Sequence, residues 1–421
     1  MRVAVVGGGL AGLRTAEQLR AAGHTGPITV YAAERHHPYT RPPLSKETLA
    51  EPVGTAEEAM LAPLTFRRRR SVEDVDFRLG VRVLEADLRR GVLTFQDADL
   101  ATTGSDQGRG EAAYDGLVAA AGLRPRALPM PTPSRGRFRL RTFEDCLALR
   151  EALAAGGGPC RVVVVGAGFV GTEAACTLHR LGHRVSVVEP LGPPMVRALG
   201  DTVGSAIGRH HARAGIELRA GLGVSGYEGE DRVLGVRLDD GSTLAADLVL
   251  EAVGSQCNIE WLAGKTGLDL TDGVLTDDHL AAYRGPDGPE AGGTPLVVVG
   301  DLARFPNPLV DDVPRRVEHW TMATDTAKHA ARTLVAALGE GALPEEPFAP
   351  VPTFWSDQLD LRFQSFGMPH LGDEVRIEEG DLDRLDGGLL ASYHRGPQHI
   401  GTLAINLPPA RQRELRDAFT G

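Results

Sequence analysis

Two glycine-rich segments have the spacing that lets a protein backbone approach a phosphate group. Residues 7–12 read GGGLAG and residues 166–171 read GAGFVG, and each lies between a short apolar run and a stretch with helical periodicity. In such a strand–turn–helix, the first glycine permits the tight turn, the second lets a pyrophosphate come close, and the third packs helix against strand. The spaced glycines are Gly7, Gly9, Gly12, Gly166, Gly168 and Gly171. The sequence therefore predicts two dinucleotide-binding turns.

A carboxylate follows the second strand of each unit, where it can accept hydrogen bonds from ribose hydroxyls. In the second unit this residue is Glu189, and residues 190–193 (PLGP) bring no arginine. A carboxylate repels a 2′-phosphate, so this site favours NADH over NADPH. In the first unit the matching candidate is Glu34.

The elements that must position these turns indicate an α/β chain. Apolar runs at 3–6, 28–31, 117–121, 161–165, 184–188 and 248–253 are predicted to be buried strands. Residues 77–84 and 91–95 are predicted to form a β-meander, and the stretch 339–352, rich in Gly, Pro and Glu, marks a boundary. Two dinucleotide sites in one chain suggest FAD in one and a nicotinamide coenzyme in the other. We therefore expect a discontinuous FAD-binding domain (1–122 and 255–335), an NAD-binding domain (123–254) and a small α+β C-terminal domain (336–421).

Composition excludes several classes of function. The chain has 421 residues and a formal net charge of −11, which argues against nucleic acid as the main partner. No stretch approaches the ~20 apolar residues that a membrane helix needs, and the glycine-broken start does not resemble a signal peptide, so we expect a cytoplasmic protein. Four scattered cysteines form no CxxC pair, so neither a metal site nor a disulfide framework is expected.

Four further blocks carry a resemblance to a known family. They read HPYTRPPLSK (37–46), GDLARFP (300–306), RVEHWTMA (316–323) and PTFWSDQ (352–358). With the two glycine turns, they make nearly the whole chain resemble the FAD-dependent, NADH-linked ferredoxin reductases, the group of putidaredoxin, rhodocoxin and biphenyl-dioxygenase reductases. The resemblance implies two Rossmann-like domains in the glutathione-reductase-like arrangement, with FAD in the first site and NADH in the second.

The resemblance also implies roles for individual residues. Residues expected to hold FAD are Gly7, Gly9, Ala11, Gly12, Glu34, Arg41, Lys46, Arg124, Asp301 and Trp320. Residues expected to hold NADH are Gly166, Gly168, Gly171, Glu189 and Arg197. Ala33 stands where relatives often carry an acid, so Glu34 or another group binds the FAD ribose.

Lys46, Glu173 and Trp320 are the residues expected to act in catalysis. A lysine cation near the flavin would stabilise the negative charge that builds up on reduction. Glu173, two residues after the last glycine of the second turn, is its candidate partner. We expect a Lys46–Glu173 pair facing the flavin, with Trp320 near the isoalloxazine ring. Glu251, at the end of an apolar strand, has no evident reason in the sequence.

The cysteine positions bear on where the electrons go. Residues 34–60 contain no cysteine, so a thiol relay beside the flavin is excluded and the electrons must leave the flavin directly. The resemblance points to a [2Fe–2S] ferredoxin that supplies a cytochrome-type monooxygenase or a dioxygenase. An acidic ferredoxin needs a basic face for docking. Arg315 and Arg316 are the better candidates and the run Arg67–Arg70 is the other.

Two alternatives stay open at the level of sequence. One is an NADH-dependent flavoprotein with another acceptor, such as a rubredoxin or a monodehydroascorbate-type radical. The other is a redox-sensing interaction protein resembling apoptosis-inducing factor. The oligomeric state and the particular ferredoxin are also open.

Overall fold

A computed structural model describes residues 1–99, 107–130, 133–264, 267–282 and 293–420. These residues form two compact units. Unit 1 contains Met1–Thr40, Thr65–Arg124 and Cys257–Pro352, and unit 2 contains Arg41–Leu64, Pro125–Gln256 and Thr353–Gly421. The chain thus crosses between the units more often than a simple N-to-C order of domains would require.

The helices and strands have the following bounds. The helices are α1 (Leu10–Ala21), α2 (Glu47–Ala50), α3 (Glu57–Leu61), α4 (Phe143–Ala155), α5 (Phe169–Arg180), α6 (Val196–Ala214), α7 (Met322–Ala337) and α8 (Pro409–Thr420). The first strands are β1 (Val3–Val6), β2 (Ile28–Ala32), β3 (Asp76–Leu79), β4 (Val81–Asp87), β5 (Val92–Asp97), β6 (Gly110–Ala113), β7 (Gly116–Ala119), β8 (Leu123–Pro125), β9 (Arg137–Phe138), β10 (Arg161–Val165), β11 (Arg184–Glu189), β12 (Glu217–Ala220) and β13 (Val224–Glu228). The others are β14 (Gly235–Leu238), β15 (Thr243–Ala245), β16 (Leu248–Glu251), β17 (Ser255–Cys257), β18 (Val274–Leu275), β19 (Leu296–Val298), β20 (Ala303–Asn307), β21 (Asp311–Arg316), β22 (Thr353–Gln358), β23 (Leu361–Gly367), β24 (Glu374–Gly380), β25 (Leu389–Arg395) and β26 (Gln398–Ile405).

Unit 1 is built on a parallel sheet with the strand order β19-β7-β1-β2-β3. The central strand β1 is buried at all four residues, as expected for a parallel strand covered on both faces. Helices α1 and α7 pack against each other. The crossover order places the carboxyl ends of β1, β2 and β19 at one edge, where a doubly wound sheet binds its ligand.

The predicted meander differs from the structure in one respect. The sequence predicts one strand over 77–84, but Gly80 adopts a φ of 69° and ends that strand. The residues before Gly80 form β3 in the parallel sheet, and those after it form β4 in the antiparallel meander β4-β5-β6. One left-handed glycine therefore assigns a continuous alternating run to two different sheets.

Unit 2 contains a second parallel sheet, with the order β12-β11-β10-β16-β9. An antiparallel sheet, β22-β23-β26-β25-β24, belongs to the same unit. Helix α6 packs its apolar face on this sheet, with Leu199, Val203 and Ile207 buried among Phe363 and Leu403. The two parallel sheets, together with the C-terminal antiparallel sheet and helix α8 that follows it, confirm the predicted fold class.

Candidate functional site

The first glycine turn, in unit 1, has the geometry of a phosphate cradle. Gly7 adopts a φ of 127°, and a Cβ on it would lie 2.1 Å from the carbonyl oxygen of Ala120. A Cβ on Gly12 would lie 1.9 Å from the carbonyl oxygen of Gly7. Gly9 is different, because a Cβ there would meet nothing within 4 Å. Gly7 and Gly12 thus serve the fold, whereas Gly9, the N-cap residue of α1, faces open space at a helix N-terminus suited to an anion.

The carboxylate predicted to bind ribose is held by a tyrosine. Glu34 lies two residues beyond β2, and the Tyr39 hydroxyl donates a hydrogen bond to its Oε2 atom at 2.5 Å. Tyr39 is buried. Sequence reasoning did not assign Tyr39 a role, although it belongs to the block at 37–46. The partner fixes the orientation of the Glu34 carboxylate at the carboxyl end of the sheet.

The same edge of unit 1 carries predicted FAD ligands near α7. Gly300 has a φ of 66°, and its amide donates to the Thr326 hydroxyl on α7 at 2.8 Å. A Cβ on Gly300 would lie 3.1 Å from the Ala11 side chain, so the turn carrying Asp301 packs closely on α1. Trp320 precedes α7 and is 38% exposed.

Arg124, the remaining FAD candidate of unit 1, is engaged by neighbouring groups of that unit. Its Nη1 atom donates to the Asn258 side-chain oxygen at 2.9 Å and to the Cys257 carbonyl at 3.1 Å. Its Nη2 atom pairs with Glu260 at 2.5 Å. Contact with FAD stays a prediction for this residue.

The second glycine turn, in unit 2, repeats the geometry of the first. Gly166 adopts a φ of 103°, and a Cβ on it would lie 2.3 Å from the Ala252 carbonyl oxygen. A Cβ on Gly171 would lie 2.0 Å from the Gly166 carbonyl oxygen. Gly168, the N-cap residue of α5, again faces open space. The residues present therefore fit a dinucleotide in each unit.

Glu189 closes the second turn from the end of β11. Its Oε2 atom accepts a hydrogen bond from the Ala167 amide at 2.7 Å, and Oε1 accepts one from the Leu191 amide at 3.1 Å. These bonds hold the carboxylate beside the turn itself. Arg197 is exposed in the first turn of α6.

Lys46 and Glu173 form a close ion pair within unit 2. The Lys46 Nζ atom lies 2.6 Å from Glu173 Oε2, and the two side chains are only 13% and 8% exposed. The pair expected from the sequence therefore forms, although its position relative to a flavin stays a prediction. Two hydroxyls that sequence reasoning missed complete the carboxylate: Ser45 donates to Oε2 at 2.8 Å and Ser356 donates to Oε1 at 2.8 Å.

The segment that carries Lys46 is fastened to helices of unit 2. Thr177, one turn after Glu173 on α5, donates its hydroxyl to the Ser45 carbonyl at 2.8 Å. Arg150 on α4 donates to the carbonyls of Thr48 and Leu49 and to those of the two residues that follow α2. Arg41, at the start of the segment, donates to the carbonyl oxygen of Arg141 at 2.8 Å.

Glu251 receives a structural explanation. It is 3% exposed at the end of β16, and its Oε1 atom accepts two bonds from the Arg137 guanidinium, at 2.9 and 2.6 Å. The Tyr227 hydroxyl donates to the same oxygen at 2.6 Å, and the guanidinium lies 4.3 Å from the Tyr227 ring centre. Burial and the bond to Glu251 raise the pKa of Tyr227, which keeps its proton. Glu251 is thus a buried acid whose charge is matched by Arg137.

The arginines considered for docking lie in unit 1. Arg315 pairs with Asp311, and Arg316 pairs with Asp272 at 2.7 Å and Glu318 at 2.8 Å. All four side chains of the run Arg67–Arg70 are exposed. Guanidinium groups are present at both candidate faces, and those at 315 and 316 are already bound to carboxylates of the same unit.

The four cysteines are free thiols, and three of them are buried. Burial raises the pKa of Cys146 to about 12 and that of Cys176 to about 12. A thiol with so high a pKa is a poor nucleophile, which agrees with electrons leaving without a thiol relay. Among the described residues, no helix is long and apolar enough to cross a membrane.

Comparisons with known proteins place this geometry in a family. Residues 1–327 match the family model described as "Pyridine nucleotide-disulphide oxidoreductase". Putidaredoxin reductase of Pseudomonas putida is 31% identical over 415 residues, covering 96% of this chain and 89% of that protein. The ferredoxin–NAD(+) reductase component of the p-cumate 2,3-dioxygenase system of Pseudomonas putida is 32% identical over 411 residues, covering 97% and 90%.

A solved structure has the same fold. It is a covalent putidaredoxin reductase–putidaredoxin complex, with a TM-score of 0.83 and 27% identity, and the match covers 100% of this chain and 93% of that chain. The paired glycine turns, the whole-length relatives and the shared fold agree, and the chain belongs to the pyridine nucleotide-disulphide oxidoreductase family, with the resemblance to the ferredoxin reductases confirmed.

Proposed function

We propose that the chain is an FAD-dependent NADH:ferredoxin reductase that delivers electrons to a [2Fe–2S] ferredoxin serving an oxygenase. The observation that carries the proposal is the repeated turn geometry, in which Gly9 and Gly168 each face open space at a helix N-terminus. Two pyrophosphates can be bound there, and relatives matched over 89% and 90% of their length are named putidaredoxin reductase and ferredoxin–NAD(+) reductase component.

FAD is proposed for unit 1 and NADH for unit 2. The glycines of the first turn, with Ala11, hold the FAD pyrophosphate; Glu34 binds its ribose and Asp301 its ribityl chain, while Arg124 and Arg41 make further contacts. The second turn holds NADH, with Glu189 at its ribose and Arg197 as a further contact. When bound, FAD accepts a hydride from NADH and releases the two electrons singly.

Lys46, Glu173 and Trp320 are proposed to act at the flavin. The Lys46 ammonium stabilises negative charge that builds up on reduction, because a fixed cation in a water-poor site acts strongly. Glu173 holds that ammonium at 2.6 Å and keeps a compensating charge beside it. Trp320 covers the ring. No general base is required, since the residues only bind, orient and stabilise.

The acceptor is proposed to dock near Arg315 and Arg316. Both lie at the end of β21, four or five residues before Trp320, so a carrier bound there would be near the proposed flavin contact. The charge of such a face acts mainly on the rate of encounter.

The test is a coupled assay of the purified chain. The proposal expects a yellow protein with bound FAD, preference for NADH over NADPH, and reduction of at least one [2Fe–2S] ferredoxin faster than of a rubredoxin or a radical acceptor. Absence of FAD, or preference for NADPH, would contradict the cofactor assignment. Dye reduction without reduction of any ferredoxin in a broad panel would contradict the acceptor.

A further inference from the structure

Strand β22 presents two buried polar side chains to Glu173. Ser356 and Gln358 are both fully buried, and residues two apart on a strand share a face. Gln358 Nε2 donates to Ser356 Oγ at 3.1 Å, and Ser356 Oγ donates to Glu173 Oε1 at 2.8 Å. A serine hydroxyl has one proton, and Ser356 donates it to the carboxylate. Ser356 therefore accepts from Gln358 and donates to Glu173.

The two oxygens of Glu173 are divided between different partners. Oε2 accepts from Lys46 Nζ at 2.6 Å and from Ser45 Oγ at 2.8 Å, whereas Oε1 accepts from Ser356. A buried carboxylate oxygen without a donor is costly. If Ser356 lost its hydroxyl, the carboxylate would gain by turning Oε1 toward Lys46 or Ser45, which would disturb the bonds now made to Oε2. Ser356 thus opposes rotation of the group that holds Lys46.

We propose that Ser356, itself oriented by Gln358, is a positioning residue that fixes the Glu173 carboxylate and through it the Lys46 ammonium. The inference rests on the proposed function only for its consequence at the flavin. It also gives a physical reason for a serine and a glutamine two positions apart in the block at 352–358. The first supplies the donor to Glu173, and the second orients that donor from the same face of the strand.

The position of Lys46 can be measured without any assay of turnover. The chain has only three lysines, Lys46, Lys265 and Lys328, and Lys328 is exposed on α7. Limited acetylation of the purified full chain with an N-hydroxysuccinimide ester, followed by peptide mass spectrometry, gives the ratio of modification at Lys46 to that at Lys328. A loosened Lys46 ammonium is modified faster, while Lys328 is an internal reference.

The S356A variant is expected to raise this ratio about fivefold or more, the effect of losing one hydrogen bond to a charged group. The separate variant S356T keeps a hydroxyl at this position and should show the same modification ratio as the wild type. S365A is the matched control, because Ser365 is equally buried on the neighbouring strand β23 but donates to the carbonyl of Thr402. The same ratio in S356A and S365A would overturn the inference.

A double-mutant cycle separates positioning from packing. In an E173Q background, S356A should change the Lys46 ratio much less than it does in the wild type, because the carboxylate that transmits its effect is gone. Equal effects of S356A in the two backgrounds would mean that Ser356 acts by packing alone, and would refute the positioning role.

A flavin readout connects the inference to the proposed function. In S356A, we expect a more negative midpoint potential of the bound flavin and about tenfold slower reduction by NADH, with an unchanged KM for NADH. If the wild-type chain binds no FAD, the proposed function fails while the acetylation ratio still decides the inference. If the wild type reduces ferredoxin and the flavin midpoint potential of S356A equals that of the wild type, the inference fails while the proposed function stands.

Discussion

Two glutamates buried in unit 2 differ in the chemistry of the groups that hold them. Glu251 is held by a guanidinium, which keeps its charge at any ordinary pH and forms two bonds in a fixed plane. Glu173 is held by an ammonium on a flexible stem and by two hydroxyls. The first set of partners is rigid, whereas the second leaves the cation of Lys46 available to a neighbouring group.

Removing Glu251 should therefore cost stability. E251A leaves the Arg137 guanidinium, 15% exposed, without its counter-charge, and we expect the free energy of unfolding to fall by about 3 kcal/mol. Y227F removes one hydrogen bond and should cost about 1 kcal/mol. Urea unfolding measures both losses of free energy, provided that the dependence of the unfolding free energy on urea concentration is the same in the variants and the wild type. E228A, at an exposed position on β13, is the control, and an E251A variant as stable as this control would refute the assignment.

At the same scale, the sequence predicted charged partners but not hydroxyl partners. Lys46 and Glu173 are 127 residues apart, yet each stands in a motif that identifies it. Ser356 is 183 residues from Glu173, and nothing in a serine side chain indicates which long-range partner it meets. The pairing depends on the placement of β22, which periodicity does not specify.

At the scale of elements, the strand–turn–helix units were the most predictable parts of the chain. Strands β1 and β10 have the predicted bounds because an apolar run followed by a left-handed glycine leaves little choice. Helix α7 begins at Met322, directly after a turn formed by Trp320 and Thr321. The end that was missed, within 77–84, is set by the left-handed φ of Gly80.

The glycines of one turn should respond differently to the same substitution. G168A adds a methyl group in open space with an allowed φ, so we expect stability within about 0.5 kcal/mol of wild type but a KM for NADH about tenfold higher, as the methyl group keeps the pyrophosphate away. G171A should destabilise the fold, since its Cβ would lie 2.0 Å from a carbonyl oxygen.

Thermal unfolding and NADH titration measure the two effects. G158A is the control, because that glycine also faces open space but precedes β10. An unchanged KM for NADH in G168A would exclude this turn as the coenzyme site.

Helix α6 carries a group that makes stability depend on pH. Burial, and the charge of neighbouring His210, lower the pKa of His211 from 6.5 to about 4, although Gln358 and Asp360 offset part of this. The unfolded chain takes up a proton below pH 6.5, whereas the folded chain does so only near pH 4. Stability contributed by the neutral imidazole is therefore complete above pH 6.5 and is lost as the pH falls toward 4.

The expected loss is about 2 to 3 kcal/mol of unfolding free energy between pH 6.5 and 4. The variant H211Q should reduce this slope, as measured by urea unfolding across that pH range. H370Q, at an exposed position of the same unit, should keep the slope. A wild-type slope in H211Q would show that other groups carry the acid sensitivity.

At the scale of the whole molecule, the charge balance raises the question of how an acidic chain would attract the acidic ferredoxin that we propose as its partner. The formal net charge is −11, and Arg315 and Arg316 already pair with carboxylates. Any attraction must therefore come from the local arrangement of groups and must weaken with salt. The composition alone indicates the problem, but the pairing of each arginine is visible only in the folded chain.

Charge reversal at Arg315 tests the docking proposal. R315E breaks the pair with Asp311 and leaves two acids, so we expect the KM for ferredoxin to rise about tenfold at low salt, with unchanged reduction of a dye by NADH. The difference should shrink as the salt concentration rises. R376E is the matched control, since Arg376 also pairs with a nearby acid, Glu374, in the C-terminal sheet. A ferredoxin KM in R315E equal to that of R376E would remove Arg315 from the docking face.

The position of the segment 41–64 in unit 2 matters for the design of chimeras between this chain and its relatives. It lies in the first third of the chain, yet Thr177 and Arg150 fasten its first half to α5 and α4, and it belongs to unit 2. A chimera that exchanged only residues 125–256 between two relatives would separate Lys46 from its native anchors. An exchange that also includes residues 41–64 and 353–421 would transfer Lys46, Glu173 and Ser356 together, with the contacts among them intact.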